Sequence, residues 1–168
     1  MFNFLKGLFP KESTDDRVKL IGEVTIALKR KGEDEFQVIE HLKNLIVRVG
    51  KASIAARING ASAVNAYSYL ALGTGTGATA AANTALGTEI TLSGLARASA
   101  AVSRVSTTVS NDTAQIVHTW TATGTFAITE EGVFNASSNG TMLARRQFAA
   151  INVVNGDQLQ VTHKITVA

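Results

Sequence analysis

The chain contains no cysteine and only one proline, Pro10, in 168 residues. Without thiols there is no disulfide, no thiolate nucleophile and no cysteine-bearing zinc site, so stability must come from packing or from contacts between subunits. Aromatic residues are few, at 6%, with a single tryptophan. Charge is thin over the longer part of the chain: residues 61–168 hold 5 Lys/Arg and 5 Asp/Glu, well under the roughly one quarter usual in a soluble domain. Residues 1–60 hold 11 and 8, so the whole formal charge of +3 arises there. Lysines alternate with acids in that part, as in KRKGEDE at 29–35. That describes a solvated hairpin rather than the one-signed patch of a nucleic-acid binder. No stretch approaches a membrane span, and the opening MFNFLKGLFPKES lacks the apolar centre and cleavage site of a signal peptide. A surface of Ala, Ser, Thr, Gly and Asn is easily desolvated, because no ion loses its hydration when a neighbour covers it. Such a surface suits a subunit packed into a larger assembly.

Hydrophobic residues make up 45% of the chain, enough for one domain with a substantial core. The clearest pattern runs from Ala114 to Ile128. With a period of two, Ile116, His118, Trp120, Ala122, Gly124, Phe126 and Ile128 share one face, opposite Gln115, Val117, Thr119, Thr121, Thr123 and Thr125. Alternation and β-branched threonines predict one long strand, expected at the centre of a β-sandwich. Leu20, Gly22, Val24, Ile26 and Leu28 alternate likewise, with KGEDE as the tip and Phe36–Glu40 as the returning strand. Apolar residues at three- and four-residue spacing predict one helix over about 43–58, ending at Asn59-Gly60 and covering an open end or face. Tyr67–Leu72, Arg97–Val109, Met142–Ala150 and the final run from Leu159 read as further strands. Ser110-Asn111-Asp112 predicts a hairpin between 97–109 and 114–128, Asn155-Gly156-Asp157 another, and TEEGVFNASSNG a turn. The loop after Tyr67–Leu72 is expected to hold one helical turn at Ala82–Leu86. The expected fold is mainly β: an antiparallel, jelly-roll-like β-sandwich of seven or eight strands with one covering helix. Residues 1–17 form an N-terminal arm and 18–168 a single domain, with a hairpin and helix over 18–60 and the main strands over 61–168.

Constellations that would carry chemistry are incomplete. GTGTG, the run Gly73, Thr74, Gly75, Thr76 and Gly77, lacks the Lys-Ser/Thr pair of a phosphate loop and the βαβ setting of a dinucleotide fingerprint. An adaptable contact loop is the expectation there. His118 and His163 fall in the apolar phase of two strands and await a third ligand that a zinc site requires, so a pair of hydrogen-bonded core or interface histidines is expected. Glu130 and Glu131 are adjacent and point to opposite faces of any strand, which suits them to decorate a turn rather than to act as an acid and base pair. No catalytic set, cofactor site or metal site emerges. In MLARRQFAA, Arg146 shares the phase of Met142, Ala144 and Phe148. It either meets a carboxylate or carbonyl, including one on another chain, or snorkels at the sandwich edge. Phe2, Phe4, Leu8 and Phe9 crowd one short segment, either a frayed terminus or an arm whose aromatics dock on a neighbour. Tyr67, Tyr69 or Trp120 as a stacking platform would make a carbohydrate-binding module, a reading that the inward phase of Trp120 opposes.

The succession YSYLALGTGTGATAAANTALGTEI at 67–90, EEGVFNASSNGTMLARRQF at 130–148 and INVVNGDQLQVTHKITVA at 151–168 resembles small virion proteins of tailed bacteriophages. The resemblance spans about residues 65–168. It implies a non-enzymatic structural subunit assembled in the bacterial host cytoplasm and resident in the virion. A head decoration (cement) protein bound to the major capsid protein is the first expectation, and a tail, tail-tip or fibre-attachment protein among neighbouring tail subunits the alternative. Such decoration proteins are commonly β-rich trimers, so a homo-oligomer is implied, with no nucleic acid and no membrane as partner. Phe2, Phe4, Leu8 and Phe9 would be docking anchors and Gly73–Gly77 the contact loop.

Overall fold

The computed structural model describes residues 18–61 and 64–168, and these form two five-stranded antiparallel sheets packed face to face. The first sheet orders β2 (Gln37–Lys43), β1 (Leu20–Lys29), β10 (Gln158–Val167), β7 (Thr113–Thr121) and β6 (Ala101–Val105). The second orders β3 (Leu45–Ile46), β9 (Met142–Val153), β8 (Phe126–Phe134), β4 (Tyr69–Gly73) and β5 (Ala98–Ser99). The expected β-sandwich with one helix is what the chain adopts. Two of the ten strands are only two residues long. Val24, Ile26, Leu28, Ile116, Trp120, Leu159 and Val161 from the first sheet meet Leu70, Leu72, Ile128, Val133, Phe148 and Ile151 from the second, forming the main core. The arm, with Phe2, Phe4, Leu8 and Phe9, lies outside the described residues.

The alternation of 114–128 is real, but it does not make one strand. β7 ends at Thr121 and β8 begins at Phe126, in the other sheet. At the break the backbone pairs sideways instead: Ala122 N–H donates to Asp157 O (2.9 Å) and Thr123 N–H to Ser93 O (2.9 Å). A sandwich strand that continued straight would leave the core, so the chain changes sheets there. The centre of the first sheet is β10, and β7 lies between it and edge strand β6. Asn155-Gly156-Asp157 also joins the two sheets, with Gly156 at φ +96°, rather than closing a hairpin between neighbours. Asn111, at φ +61°, does close the expected hairpin between β6 and β7.

Helix α1 (Arg48–Asn59) starts later than its spacing predicted because Leu45 and Ile46 are taken as β3 against Arg145 and Ala144. It ends as expected, with Gly60 in the left-handed conformation. Only Gly50 and Ser53 are buried along it, so Ala52, Ala56 and Ile58 form no core-facing stripe. It packs against β9, where the absent side chain of Gly50 admits the backbone of Leu143.

Two predictions follow from this packing. A methyl at Gly50 would lie 2.8 Å from Leu143 Cα, and backbone cannot step aside as a side chain can. Gly50→Ala is therefore expected to lose on the order of 1 kcal/mol or more, the overpacking cost exceeding the helix-propensity gain, read from the denaturation midpoint. Asp157 ties the β9–β10 turn to the tip of the β1–β2 hairpin, accepting from Lys31 N–H (3.0 Å), Val154 N–H (3.1 Å) and Arg30 Nη1 (2.7 Å). Burial pushes its carboxyl up, but those hydrogen bonds and the Arg30 charge outweigh it and leave the pKa below the ordinary value. Its contribution is therefore complete above about pH 4 and is lost as pH falls through the lowered folded value. Asp157→Asn should flatten the acid limb of melting temperature against pH, and an unchanged limb would contradict the assignment.

Candidate functional site

The densest polar arrangement surrounds Glu130, which is 0% exposed in the middle of β8. The expected turn over TEEGVFNASSNG begins only at Asn135, because Glu130–Phe134 pair with β4 and β9 as strand. Glu130 Oε1 accepts from Gly75 N–H (3.0 Å) and Thr88 N–H (2.8 Å), and Oε2 from Gly87 N–H (3.0 Å) and Arg145 Nε (2.8 Å). Arg145, 2% exposed, extends beyond the carboxylate to Gly77 O (2.9 Å), Ala78 O (3.2 Å) and Asn83 Oδ1 (2.9 Å). A long loop is thereby wrapped onto the outer face of the second sheet. The turn within it is a tight one at Ala81-Ala82, closed by Asn83 N–H to Ala80 O (3.0 Å), and not the helical turn expected at Ala82–Leu86.

This arrangement fixes where Gly73, Thr74, Gly75, Thr76 and Gly77 go. Gly73 and Gly75 are buried: a Cβ at Gly73 would stand 2.6 Å from Glu130 Oε1, and one at Gly75 would stand 2.9 Å from Thr88 N. Thr74 N–H donates to Thr88 O (2.9 Å), leaving Thr76 and Gly77 as the exposed tip. The first half of GTGTG is thus an internal seat for a carboxylate, and only its second half is available as a contact. The buried, ion-paired arginine is Arg145. Arg146 keeps the expected phase toward the sandwich interior, but it is half-buried and its Nε has no hydrogen-bond partner among the described residues. The sequence reading missed Glu130 and Arg145 because it left the outer face of β9 uncovered. The signal was available in the glycines at 73 and 75, since closely spaced glycines mark where backbone approaches too near for side chains.

On the other face of β8, Glu131 points between the sheets. Its Oε2 lies 3.2 Å from Nδ1 of fully buried His163, whose Nε2 contacts the Asn44 amide. Gly22 leaves room for that amide. His118 is half-buried beside Trp120, ring centroids 4.6 Å apart, and burial pushes its pKa down while a bond to the Ser99 backbone opposes the shift. The two histidines therefore have separate partners. Arg97 forms a third cluster, gripping Glu89 with Nε (2.9 Å) and Nη2 (2.6 Å) and lying 3.6 Å over the Phe134 ring. Trp120 is buried and donates Nε1–H to Ala96 O (2.8 Å), so it offers no stacking platform. Tyr67 is half-buried, its hydroxyl bonded to Ser53, and burial raises its pKa. Among the described residues no group of three or more His, Asp or Glu is placed to hold a metal ion. No helix there is long and apolar enough to cross a membrane. What these ionic groups do is hold loops and sheets together.

No protein-family model, no curated protein and no solved structure matches the chain.

Breaking the Glu130–Arg145 pair leaves a buried carboxylate without its countercharge. Arg145→Met is expected to destabilise the fold by about 3–5 kcal/mol and to speed amide exchange at Gly75, Gly87 and Thr88. Adding Glu130→Leu should not restore stability, because three loop amides would then be buried without acceptors. Recovery in the double variant would show that the ion pair, not the loop's hydrogen bonds, is what matters.

Proposed function

We propose that this chain is a non-enzymatic structural subunit of a tailed-phage virion, a head decoration protein that oligomerises and binds the capsid shell. The observation that carries the proposal is the outer face of the first sheet. One row across it reads Val38, Ala27, Gln160, Thr119, and the next reads His41, Thr25, Thr162, Val117, Ala101. Neither row holds an Asp, Glu, Lys or Arg. Gln160 Nε2 donates to Thr119 Oγ1 (3.1 Å) within the first row, and Gln158 Nε2 to Thr121 Oγ1 (3.4 Å) in the row beside it, which also carries Lys29, so these rows are polar and internally bonded. Covering these two rows desolvates no ion, while Glu23, Lys43 and Lys164 in the row beyond them on one side and Lys29 on the other stay at the rim, and repeating the contact by symmetry adds many weak contacts into one firm attachment. The acids of the main strands support the same reading, because they are engaged within the fold and not presented to a substrate. Thr76 and Gly77, at the tip of the anchored loop, are the proposed capsid contact. A tail position would use the same face at lower copy number.

The test is the mass in solution by light scattering, together with copy number in purified particles. A closed ring, a trimer first, is expected, with Thr119→Arg driving it to monomer while the melting temperature holds, since Thr119 is exposed. High copy number on heads supports decoration, and a handful per particle moves the subunit to the tail. A monomer at all concentrations that also fails to sediment with capsids would overturn the proposal.

A further inference from the structure

Helix α1 leaves one end of the sandwich open. Leu20 at the start of β1, Val167 at the end of β10 and Arg104 near the end of β6 surround a mouth of about 490 Å³ between the sheets, with Ile54 and Ile58 of α1 on one side. Its floor is the main core itself: Ile116, Leu143 and Ile165 line it and are no more than 5% exposed. Its upper wall is apolar and wet, with Ile58 84% exposed, Val102 60% and Val167 51%. Small-molecule sites have volumes of about 300–1,000 Å³, apolar walls and a few polar groups that fix orientation, and the mouths of β-barrels are a favoured place for them.

The polar groups at this rim are cationic in the main. Arg57 and Arg104 border the mouth, and both are exposed. Arg30, Arg97 and Arg145 each hold a carboxylate within 2.7 Å, whereas among the described residues Arg57 and Arg104 hold none. Arg57 spends only Nη1, on Asn65 O (2.9 Å), so most of its fork of donors remains. The one acid at the rim, Asp112, is already engaged, accepting from Thr107, Thr108 and Val109 N–H and from the Thr113 hydroxyl. The mouth thus combines an apolar interior with unspent cationic donors at its edge.

We infer that this mouth binds an amphipathic anion, a long-chain carboxylate whose alkyl tail enters between the sheets and whose headgroup meets Arg57 and Arg104. Shape decides between a chain and a surface as the occupant. A flat neighbouring subunit would bridge the rim and leave Ile116 and Ile165 uncovered at the floor, whereas a slim tail reaches them. The headgroup stays at the rim, where it remains hydrated and gains charge-assisted hydrogen bonds from the guanidinium forks. The site stands apart from the virion role, since it lies at the end of the sandwich and not on the outer face of the first sheet.

The test titrates the full chain by calorimetry with dodecanoate below its micelle-forming concentration, beside octanoate and dodecyltrimethylammonium. Dodecanoate is expected to bind once per chain, and octanoate at least about tenfold more weakly because it buries fewer methylenes. The cationic amphiphile should also bind at least about tenfold more weakly, having the wrong charge for the rim. Ile58→Asp should abolish dodecanoate binding, and Arg57→Ala with Arg104→Ala should weaken it about tenfold while leaving dodecyltrimethylammonium unchanged. All three side chains are exposed, so the melting temperature of the free protein should hold in each variant. No binding of dodecanoate, equal binding of the cationic amphiphile, or binding that survives Ile58→Asp would each overturn the proposal. A fall in solution mass on Ile58→Asp would give the mouth to a second copy and overturn it too.

Discussion

The Glu130 carboxylate, fully buried and met by three backbone amides and one guanidinium, is the interaction on which the outer layer of the second sheet depends. An ion taken out of water loses several kcal/mol of solvation, and this is recovered only when every lone pair finds a donor. Hydrogen bonds to a charged group are worth about 1.5–3 kcal/mol each, so four together can offset the loss. They can do so only if the loop's backbone comes close enough. That requirement dictates glycine at 73 and 75, where a Cβ would occupy the space of the carboxylate or of the facing strand of loop. Once seated, the loop brings Leu86 down onto Ala71, Phe134 and Met142, forming a small second core outside the sandwich. The charge positions the loop, and the apolar contacts then close it.

Two adjacent glutamates on β8 do opposite work because a strand sends successive side chains to opposite faces. Glu130 organises the layer outside the second sheet, while Glu131 reaches inward to His163 on β10 and so links the two sheets through their middle. The Asn44 amide completes that link from the crossing between β2 and β3. β8 is therefore held on both faces by its glutamate side chains and along both edges by β4 and β9. This accounts for two adjacent glutamates lying within a strand whose seven C-terminal residues are all buried.

Much of the architecture was legible in the sequence, since alternation survives wherever one face is wet and the other dry. β1, its hairpin with β2, and β10 follow their patterns closely. The reading failed where that premise failed. TEEGVF has no alternation because the loop at 74–88 covers its outer face, so both of its sides are dry and its charges resemble those of a turn. Ala114–Ile128 has continuous alternation because a strand leaving one sheet for the other keeps its apolar side inward throughout. Local pattern therefore records burial, while sheet membership depends on partners elsewhere in the chain. The choice of Arg146 over Arg145 has the same origin: the phase held for Ala144 and Phe148, though not for Met142, which turns to the second core beyond a register shift, and the cover over the opposite face came from residues some sixty positions earlier.

The scarcity of charge after residue 60 takes on a different meaning once its acids are located. Glu89 holds Arg97, Asp112 accepts from Thr107, Thr108 and Val109, Glu130 seats the glycine loop, Glu131 meets His163, and Asp157 caps the turn beside Arg30. All five acids of that part fix a turn, a loop or a sheet junction. A composition that merely tolerated few charges would leave some of them on the solvated faces, where they cost little and aid solubility. Here they are placed on backbone amides or on a buried basic side chain, and the two middle rows of the first sheet's outer face are left to uncharged side chains, with Glu23, Lys29, Lys43 and Lys164 at their margins. The same allocation that makes the loops rigid makes that face inexpensive to bury, so the internal economy of the fold and the capacity to pack against neighbours follow from a single distribution of carboxylates.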